Sequence, residues 1–404
     1  MKVSIIGQGY VGLTVAIGAA SAGHEVIGFD LNLSLINDLK NGKTHIPGID
    51  PTILLKLISS KNFIPASDPT ELNSSDVIVI AVPTPLNHDR EPDLTFIDSA
   101  IETIAKYVTD PALIVNESTS YPGTLRNFIK PKLEAKSNTI FRFASAPERV
   151  DPGNINWKLS NTPRVISGIT QKDTDDAVNF YSTFCSEIFR ASSCEVAEAS
   201  KIFENTFRQI NIALVNEFSQ ISEKLGFSAS EAIRAASTKP FGFMPFFPSI
   251  GVGGHCIPVD PTYLSYIAKK IGAEANFIEL ANKTNLLMPR DVALRIKRKF
   301  GGSLEGKKIQ VAGIAYKPNV EDMRESPAIQ LIKELRKLGA NVIWHDPLVL
   351  TYKNEKSSDL ETNIHIGLIV TPHDLIDFSI WNTYKVTVLD LSANDRDFGW
   401  PKFL

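Results

Sequence analysis

A glycine-rich turn close to the first residue limits the folds that this chain can adopt. An apolar run at 2–6 is followed directly by Gly7-Gln8-Gly9-Tyr10-Val11-Gly12 and then by small residues to about position 22. Gly7 allows a tight turn, Gly9 lets the backbone approach a pyrophosphate, and Gly12 lets a helix pack closely on the strand. A helix that begins here points N–H groups and the positive end of its dipole at the phosphates. The pattern predicts a strand, a phosphate-binding turn and a helix, in that order.

An acidic residue follows the next apolar run. Asp30 comes directly after 25–29, where a second strand is expected. A carboxylate there accepts hydrogen bonds from both ribose hydroxyls of adenosine and repels a 2′-phosphate, which favours NAD over NADP. A structural glycine turn with a capping aspartate is the alternative. The three glycines, the flanking elements and the acid together favour the dinucleotide site.

Buried-strand patterns continue through the first part of the chain. Apolar runs at 76–82, 112–115, 141–144 and 164–169 are separated mostly by helix-like segments. Strands that alternate with helices in this way form sheets covered on both faces. We therefore expect a doubly wound, largely parallel sheet that ends near residue 192.

The central part is dominated by one long helical pattern. From Cys194 to Leu225 proline is absent, and apolar residues recur every three or four positions. The members of this apolar stripe are Phe203, Phe207, Ile210, Leu214, Phe218, Ile221 and Leu225. The spacing predicts a helix of roughly 30 residues and about 45 Å, which crosses between domains or packs against a partner subunit. A second helix is expected at 276–300, with an interruption near Pro289.

The last part returns to alternating strands and helices. Gly301-Gly302-Ser303 marks a domain boundary. Strands are expected at 308–312, 341–344, 366–370 and 386–391, and a helix at 327–338. The predicted fold class is α/β, with two Rossmann-like doubly wound parallel-sheet domains joined by a long central helix. The expected divisions are 1–192, 193–302 and 303–404.

A glycine-rich segment in the central part carries a candidate nucleophile. Residues 249–262 read Ser-Ile-Gly-Val-Gly-Gly-His-Cys-Ile-Pro-Val-Asp-Pro-Thr, which fits neither a regular helix nor a central strand. We expect a shaped loop whose glycines let the backbone approach a ligand. Cys256, beside His255 and near Asp260, then has the surroundings of an activated nucleophile. A buried, unreactive thiol is the alternative.

Composition narrows the classes of partner. The 404 residues include 42 Lys and Arg against 45 Asp and Glu, a net charge of −3, so neither nucleic acid nor an anionic membrane is an expected partner. No apolar run reaches the length of a membrane span.

Three cysteines are too few for a disulfide framework, and we expect a cytoplasmic location. Cys185 and Cys194 are expected to be buried thiols, and no Cys/His spacing predicts a metal site.

These motifs together resemble the UDP-glucose/GDP-mannose dehydrogenase family over nearly the whole chain. The early motifs are Gly-Gln-Gly-Tyr-Val-Gly-Leu at 7–13, Pro-Thr-Pro-Leu at 83–86, Pro-Asp-Leu at 92–94, Glu-Ser-Thr at 117–119, Pro-Gly-Thr at 122–124 and Pro-Glu-Arg at 147–149. The later ones are Lys201, Asn205 and Asn216-Glu217, Gly-Gly-His-Cys-Ile-Pro-Val-Asp-Pro at 253–261, Tyr316-Lys317-Pro318, and Asp-Met-Arg-Glu-Ser-Pro at 322–327. Ser120-Tyr121 departs from the family, in which a small apolar residue is commoner after the threonine.

The resemblance implies an NAD-dependent enzyme in three parts. Residues 1–192 would bind NAD, 193–302 would form a homodimer through the long helix, and 303–404 would bind a UDP sugar. The implied reaction oxidises the C6 alcohol of the sugar to the carboxylate with two NAD in turn. It passes through a thiohemiacetal and a thioester on Cys256.

The resemblance also implies roles for single residues. Lys201, helped by Asn205, would stabilise negative charge on the substrate oxygen. Asp260 would orient water or pass protons through Lys201. Thr119 and Glu148 are the other candidates for a water-mediated base, and the choice among these three is open. The structural alternatives are a solvated lysine, a capping threonine and an ion-paired glutamate.

The expected binding residues follow from the same motifs. For NAD they are Gly7, Gly9, Tyr10, Val11, Gly12, Asp30, Pro83, Thr84, Thr119 and Arg324. For the substrate they are Glu148, Arg149, Val150, Lys201, Asn205, Gly253, Gly254 and Lys317. Lys317 and Arg324 are expected at the nucleotide or at a domain interface, and a structural salt bridge is the alternative for Arg324.

The expected sugar rests on two motifs, the Gly-Gly-His-Cys form of the cysteine loop and residues 147–154, and two rival functions are open. Residues 147–154 resemble the branch that acts on UDP-N-acetylhexosamines, and Arg149 suits an acetamido carbonyl or a phosphate. We expect UDP-N-acetylglucosamine or an epimer, with UDP-glucose as the alternative. A dehydrogenase of the 3-hydroxyacid or 6-phosphogluconate type would form one NADH per substrate. An inactive NAD-binding regulatory protein would be expected to lack Cys256, Lys201 or Asp260.

Overall fold

The chain forms two compact units. The computed structural model describes residues 1–46, 48–150, 154, 156–254, 256–394 and 396–404. Unit 1 comprises residues 1–204 and 266–272, and unit 2 comprises 205–265 and 273–404. His255 of the cysteine segment and positions 151–153 of the sugar motif lie outside the described residues.

Unit 1 is built from short strands and covering helices. Its strands are β1 (Lys2–Ile6), β2 (Glu25–Phe29), β3 (Phe63–Ala66), β4 (Val77–Ile80), β5 (Leu113–Asn116), β6 (Arg142–Ser145), β7 (Arg164–Gly168) and β8 (Ile188–Arg190). Its helices are α1 (Tyr10–Ser21), α2 (Leu33–Lys40), α3 (Pro51–Ser59), α4 (Thr95–Tyr107), α5 (Lys130–Lys136) and α6 (Gln171–Tyr181). A 3-10 turn at Pro69–Leu72 and a π-helical turn at Leu125–Ile129 complete this part.

The strands of unit 1 form one sheet in the order β3-β2-β1-β4-β5-β6-β7-β8. All neighbours are parallel except β6 and β7, which are antiparallel. The predicted doubly wound sheet is confirmed, and its strand order reverses at β1 and β4. Dinucleotides bind at such a reversal, outside the carboxyl ends of the strands. β4 reads Val-Ile-Val-Ile with all four residues buried, as expected for a strand covered on both faces.

The remaining elements follow in chain order. Helix α7 (Cys194–Leu225) and helix α9 (Asp260–Lys270) have residues in both units. Unit 2 also contains α8 (Ala229–Ser237), α10 (Asn276–Lys299), β9 (Lys308–Ala312), α11 (Pro327–Lys337), β10 (Asn341–His345), β11 (Thr351–Tyr352), β12 (Glu355–Lys356), β13 (Ile366–Ile369), α12 (Ser379–Thr383) and β14 (Val388–Asp390). Four of the strands form a parallel sheet, in the order β10-β9-β13-β14. The prediction of a second Rossmann-like sheet is therefore confirmed.

Helix α7 has the predicted bounds, but its two faces are unusual. The exposed large side chains on the predicted apolar stripe are Phe203 (66%), Phe207 (42%), Leu214 (60%), Ile221 (48%) and Leu225 (69%). Polar groups lie on the buried side instead, and Asn216 Nδ2 donates to Asn285 Oδ1 of α10 over 3.1 Å. The amphipathic pattern is therefore present, but its apolar side is uncovered in a single chain.

Helix α10 corrects one prediction. Its helical conformation continues through Pro289, where an interruption was expected. Proline lacks an N–H and crowds the preceding turn, but Pro289 is buried among the packed residues of this helix. The division at residues 192 and 302 stays a prediction. Among the described residues, no helix is both long and apolar enough to span a membrane.

Candidate active site

The glycine turn between β1 and α1 has the geometry of a phosphate-binding loop. Gly7 has φ of +93°, and its N–H donates to the carbonyl oxygen of Phe29 over 2.9 Å. A Cβ atom on Gly12 would lie 1.8 Å from the Gly7 carbonyl oxygen, so only glycine permits this packing. A Cβ atom on Gly9 would meet nothing within 4 Å. The turn is therefore closed on its inner side and open beside Gly9, where α1 begins.

Asp30 lies beside this turn. Its Oδ2 accepts a hydrogen bond from Gln8 N over 2.7 Å, and its Oδ1 accepts one from Asn32 N over 2.8 Å. The carboxylate is half-buried and fixed at the carboxyl end of β2. An open backbone cradle, a helix start and a fixed acceptor are the groups that a pyrophosphate and an adenosine ribose require. The residues present therefore fit NAD.

Two further predicted segments lie at the same edge of the sheet. Ile6 pairs with Ile80, so the turn after β1 is next to the segment after β4 that contains Pro83 and Thr84. Strand β5 follows in the sheet and leads to the half-buried Thr119. These segments are joined because Ser118 Oγ accepts from Val82 N over 2.9 Å and donates to Val82 O over 2.9 Å.

Glu148 belongs to a buried ionic group that we call the Arg164 cluster, formed by Glu117, Glu148, Arg164 and Tyr181. Arg164 Nη1 donates to Glu148 Oε2 over 2.7 Å, and Arg164 Nη2 lies 2.6 Å from Glu117 Oε2. Tyr181 donates its hydroxyl proton to Glu117 Oε1. The side chains of Arg164, Glu117 and Glu148 are only 3%, 0% and 8% exposed.

The two carboxyl groups of the cluster have opposite pKa shifts. Burial raises the pKa of Glu117 to about 7, against the favourable charge of Arg164. Burial also acts to raise the pKa of Glu148, but Arg164 and hydrogen bonds to its carboxylate reverse the effect, and the net shift is downward. An ionised Glu148 that is paired with Arg164 matches the structural alternative of an ion-paired glutamate. Its role as a base stays a prediction.

The other residues of this segment are also held by partners. Glu148 Oε1 accepts hydrogen bonds from the backbone N–H groups of Arg149 (2.6 Å) and Val150 (2.7 Å). The Arg149 guanidinium lies 2.7 Å from Glu204 of α7 and donates to Pro163 O over 2.7 Å. Lys201 is half-buried one helical turn before Asn205 on the same helix. Residues four apart in a helix share one face.

The cysteine segment leads directly into α9. The Cys256 carbonyl oxygen accepts from Val259 N over 3.2 Å and from Asp260 N over 2.8 Å, so Cys256 precedes the first turn of the helix. Cys256 is exposed, while Cys185 and Cys194 are buried. Asp260 is buried, and Asn205 Nδ2 donates to its Oδ2 over 2.6 Å. The structure thus brings two of the predicted catalytic residues into contact and leaves Cys256 exposed.

The glycines before Cys256 pack closely against another segment of the same unit, residues 316–327. A Cβ atom on Gly253 would lie 2.9 Å from Tyr316 Cβ and 2.9 Å from Pro327 Cδ. Gly254 has φ of +86°, and its N–H donates to Arg324 O over 3.1 Å. The close approach that the glycines permit is therefore to the 316–327 segment. A substrate contact by either glycine stays a prediction.

The predicted residues of that segment lie near the cysteine loop. Arg324 is exposed and pairs with Asp322 through Nε (2.9 Å) and Nη2 (2.5 Å), which matches the salt-bridge alternative. Lys317 is half-buried. Within the described part of the chain, no group of three or more His, Cys, Asp or Glu side chains could hold a metal.

Comparison with known proteins decides the family. Three family models match consecutive parts of the chain: the NAD binding domain at 1–185, the central domain at 195–286 and the UDP binding domain at 310–391 of the UDP-glucose/GDP-mannose dehydrogenase family. The chain belongs to the UDP-glucose/GDP-mannose dehydrogenase family. It is an NAD-dependent oxidoreductase of the nucleotide-sugar 6-dehydrogenase class.

Members of this family match in both sequence and structure. The chain is 38% identical to the UDP-N-acetyl-D-mannosamine dehydrogenase of Methanococcus maripaludis, over 96% of this chain and 89% of that protein. It is 33% identical to the UDP-N-acetyl-D-glucosamine 6-dehydrogenase of Pseudomonas aeruginosa, over 86% and 83%. The UDP-D-ManNAc dehydrogenase structure from Pyrococcus horikoshii superposes with a TM-score of 0.87 at 31% identity and covers 99% of this chain and 98% of that one.

Sequence reasoning on this dehydrogenase missed two charged residues of the Arg164 cluster. Glu117 was noted only as part of a motif, and Arg164 only as the first residue of an expected strand. Because β7 runs antiparallel to β6, its first residue lies at the edge where β5 and β6 end. The available signal was an arginine at the start of an otherwise apolar strand, together with a glutamate directly after another strand.

Proposed function

We propose that this enzyme oxidises the C6 alcohol of a UDP-N-acetylhexosamine to the uronic acid, with Cys256 as nucleophile and two NAD in turn. The observation that carries the proposal is the exposure of Cys256, whose carbonyl oxygen accepts a hydrogen bond from the N–H of Asp260, the first residue of α9, in a chain of this family. A thiol in that position suits covalent catalysis, because a helix start favours an anion nearby.

The proposed reaction has two oxidation stages and one hydrolysis. The alcohol loses a proton and a hydride to give the aldehyde. The Cys256 thiolate adds to the aldehyde carbon, and a carbon–sulfur bond forms as the carbonyl electron pair moves to oxygen. Loss of a second hydride gives a thioester, and water then adds, the carbon–sulfur bond breaks and the carboxylate is released with the thiolate restored. NAD held by the turn after β1 and by Asp30 would supply the hydride acceptor for both oxidations.

Asp260 and Asn205 would handle protons and water in this scheme. The Asp260 carboxylate is buried and held by Asn205 Nδ2 over 2.6 Å, so its orientation is fixed before substrate binds. A fixed carboxylate four residues after the nucleophile suits the orientation of the attacking water. Thr119 and Glu148 remain the other proposed participants in proton transfer.

Lys201 would stabilise the negative charge that develops on the substrate oxygen. A partly buried ammonium group aimed at that oxygen would stabilise the tetrahedral stages more than the ground state. Lys201 is half-buried on α7, one turn before Asn205. This spacing supports a shared role for the two side chains.

We propose the binding residues that the motifs indicate. NAD would contact Gly7, Gly9, Tyr10, Val11, Gly12, Asp30, Pro83, Thr84, Thr119 and Arg324. The UDP sugar would contact Glu148, Arg149, Val150, Lys201, Asn205, Gly253, Gly254 and Lys317. The geometry of the turn after β1 supports the first set most strongly. The UDP binding domain at 310–391 supports a UDP sugar.

The names of the relatives support an N-acetylated sugar. Proteins named UDP-N-acetyl-D-mannosamine dehydrogenase match at 38% identity, and one named for UDP-N-acetyl-D-glucosamine matches at 33%. An NADH assay against UDP-N-acetylmannosamine, UDP-N-acetylglucosamine, UDP-N-acetylgalactosamine, UDP-glucose and GDP-mannose tests the choice. Turnover of an N-acetylated substrate at least tenfold above UDP-glucose supports the proposal, and the reverse order would favour the UDP-glucose alternative.

We also propose a homodimer through α7. The exposed apolar stripe described above lies along most of this helix, and uncovered apolar patches of this kind mark interaction surfaces. A second copy of the chain would bring the same stripe to the contact, as a two-fold interface requires.

The expected three-part division and location complete the proposal. The division into 1–192, 193–302 and 303–404 follows the order of the three family domains. None of the three cysteines, all within the described residues, forms a disulfide, which fits a reducing compartment and a cytoplasmic enzyme.

A further inference from the structure

The Arg164 cluster contains one cation and two carboxyl groups in a region closed to water. The Arg164 side chain is 3% exposed and lies between Glu117 (0%) and Glu148 (8%). If both carboxyl groups were ionised, the cluster would carry an uncompensated negative charge. Such a charge is costly to bury, so the two carboxyl groups compete for the single arginine.

The hydrogen bonds decide which carboxyl group holds the charge more firmly. Glu148 accepts two backbone N–H groups and one arginine N–H, at 2.6–2.7 Å. Glu117 has one arginine contact and the Tyr181 hydroxyl. More donors favour the ionised form of Glu148 and leave Glu117 as the carboxyl that takes up a proton.

Glu148 in turn fixes the segment that we assign to substrate binding. Its Oε1 holds the backbone N–H groups of Arg149 and Val150, while its Oε2 faces Arg164. A carboxylate that is the single ionic partner of Arg164 is held firmly in position. A carboxylate that competes with a second anion for Arg164 is held less firmly.

We propose that Glu117 is a positioning residue, which sets through Arg164 how firmly Glu148 holds the sugar-binding segment at Arg149 and Val150. When Glu117 is protonated, Glu148 is the one carboxylate of the cluster that is paired with Arg164. Ionisation of Glu117 releases its proton to solvent. Arg164 then interacts with two anions, and the cluster gains negative charge near an anionic substrate. The KM for the UDP sugar therefore rises as Glu117 ionises, and the change in KM exceeds any change in kcat.

Four ionisable groups of the described residues interact with Glu117. They are Arg164 from β7, Glu148 from the segment after β6, Tyr181 from α6 and Cys185 after that helix. The pKa of Glu117 is raised to about 7 by burial, so its ionisation falls in the range where such an enzyme can be assayed. The pKa of Cys185 is raised to about 11, outside that range.

The test compares the pH dependence of KM in the full-length enzyme and three variants. In the native enzyme KM for the UDP sugar should rise about tenfold between pH 7 and pH 8–9, because the protonated fraction of a single group falls about tenfold for each pH unit above its pKa. Glu117→Gln keeps the shape and the contact with Arg164 but cannot ionise, so its KM should stay flat. A rise in KM that is the same in Glu117→Gln as in the native enzyme would overturn the proposal.

Two further variants separate this effect from general damage. Tyr181→Phe removes a hydrogen bond to the ionised form of Glu117, so the rise in KM should move to higher pH even if Glu117→Gln does not fold. Glu198→Gln is the matched control, because Glu198 is another buried carboxyl with a pKa raised to about 8 and lies outside the cluster. The rise should persist in that variant, and its loss there would assign the effect to Glu198.

The kinetic readout rests on the proposed function, so a second readout is independent of it. Infrared spectra of the enzyme without substrate, recorded across pH, detect the loss of a protonated carboxyl band near pH 7. This change should disappear in Glu117→Gln and persist in Glu198→Gln. If no UDP sugar is oxidised, the proposed function fails while the infrared result still decides the state of Glu117. If that band is unchanged in Glu117→Gln, the inference fails by itself.

Discussion

Asn205 Nδ2 donates a hydrogen bond of 2.6 Å to Asp260 Oδ2, with both side chains buried. The two residues come from different helices, α7 and α9, and are 55 positions apart. A buried carboxylate that is held by an amide is costly to leave unpaired. This contact fixes a candidate catalytic acid one helical turn after the exposed thiol of Cys256.

Asp260→Asn should reduce kcat by about 10²- to 10⁴-fold, the range expected for loss of a general acid–base group. The amide keeps the size of the side chain but cannot accept a proton. Asn205→Asp should also be harmful, because it places two carboxyl groups in contact. Steady-state kinetics with a matched measurement of NAD affinity tests this. A kcat for Asp260→Asn within a factor of three of the native value would show that this carboxylate is dispensable.

Gly9→Ala and Gly12→Ala should affect NAD binding for different reasons. The Cβ atom at Gly12 would lie 1.8 Å from a backbone oxygen, so Gly12→Ala should lower both the stability and the NAD affinity. At Gly9 the protein offers free space, so Gly9→Ala should fold with native stability yet bind NAD at least tenfold more weakly. Thermal unfolding and titration with NAD distinguish the two. Native affinity in Gly9→Ala would mean that no ligand occupies that space.

How far the sequence alone predicts the fold depends on which interactions set each element. The bounds of α7 and the turn at Gly7 were predicted correctly, because helical periodicity and glycine geometry act over a few residues. Strand β3 was missed: it reads Phe-Ile-Pro-Ala, and proline is tolerated there since β3 is an edge strand. The direction of β7 was not predicted, because no local pattern distinguishes a parallel from an antiparallel strand.

The candidate site shows the same limit. Cys256 and Asp260 are close in sequence, and their loop could be recognised from its composition. The partner of Glu148 could not be recognised from the sequence. Arg164 contacts Glu148 because β7 runs antiparallel to β6, and no local pattern specifies that direction. The exposed stripe on α7 was also recognised as a pattern. Its lack of cover within one chain depends on tertiary packing, which spacing does not specify.

The stability of the enzyme should fall as pH rises from about 5 to about 8. Burial raises the pKa of Glu117 to about 7 and that of Glu198 to about 8, above their ordinary value of 4.5. Groups with a raised folded-state pKa stabilise fully below the unfolded value, and this contribution is lost as pH rises through the folded value. Glu198→Gln should reduce the pH-dependent change in the free energy of unfolding by a few kcal/mol at most, because a shift of one pKa unit corresponds to about 1.4 kcal/mol. Unfolding midpoints across pH measure it, and an equally steep profile in the variant would exclude Glu198 as a cause.

Leu214→Glu should convert the proposed dimer into a monomer. Leu214 lies near the middle of the exposed apolar stripe of α7 and is 60% exposed in the single chain. A buried unpaired carboxylate at a two-fold contact would appear twice and destabilise the association strongly. Lys224→Glu, at an exposed polar position of the same helix, is the control and should leave the mass unchanged. Sedimentation velocity reports the result. A native enzyme with the mass of one chain, or a Leu214→Glu protein that keeps the mass of a native dimer, would contradict a dimer through this stripe.

The most direct test of the account is the number of NADH molecules formed for each UDP sugar consumed by the native enzyme and by Cys256→Ser. Oxidation through a thioester on Cys256 predicts two NADH and one uronate per sugar in the native enzyme. It predicts no uronate in Cys256→Ser, which should bind NAD normally because its change lies outside the turn after β1. One NADH per sugar in the native enzyme, or uronate formed at the normal rate by Cys256→Ser, would contradict the account.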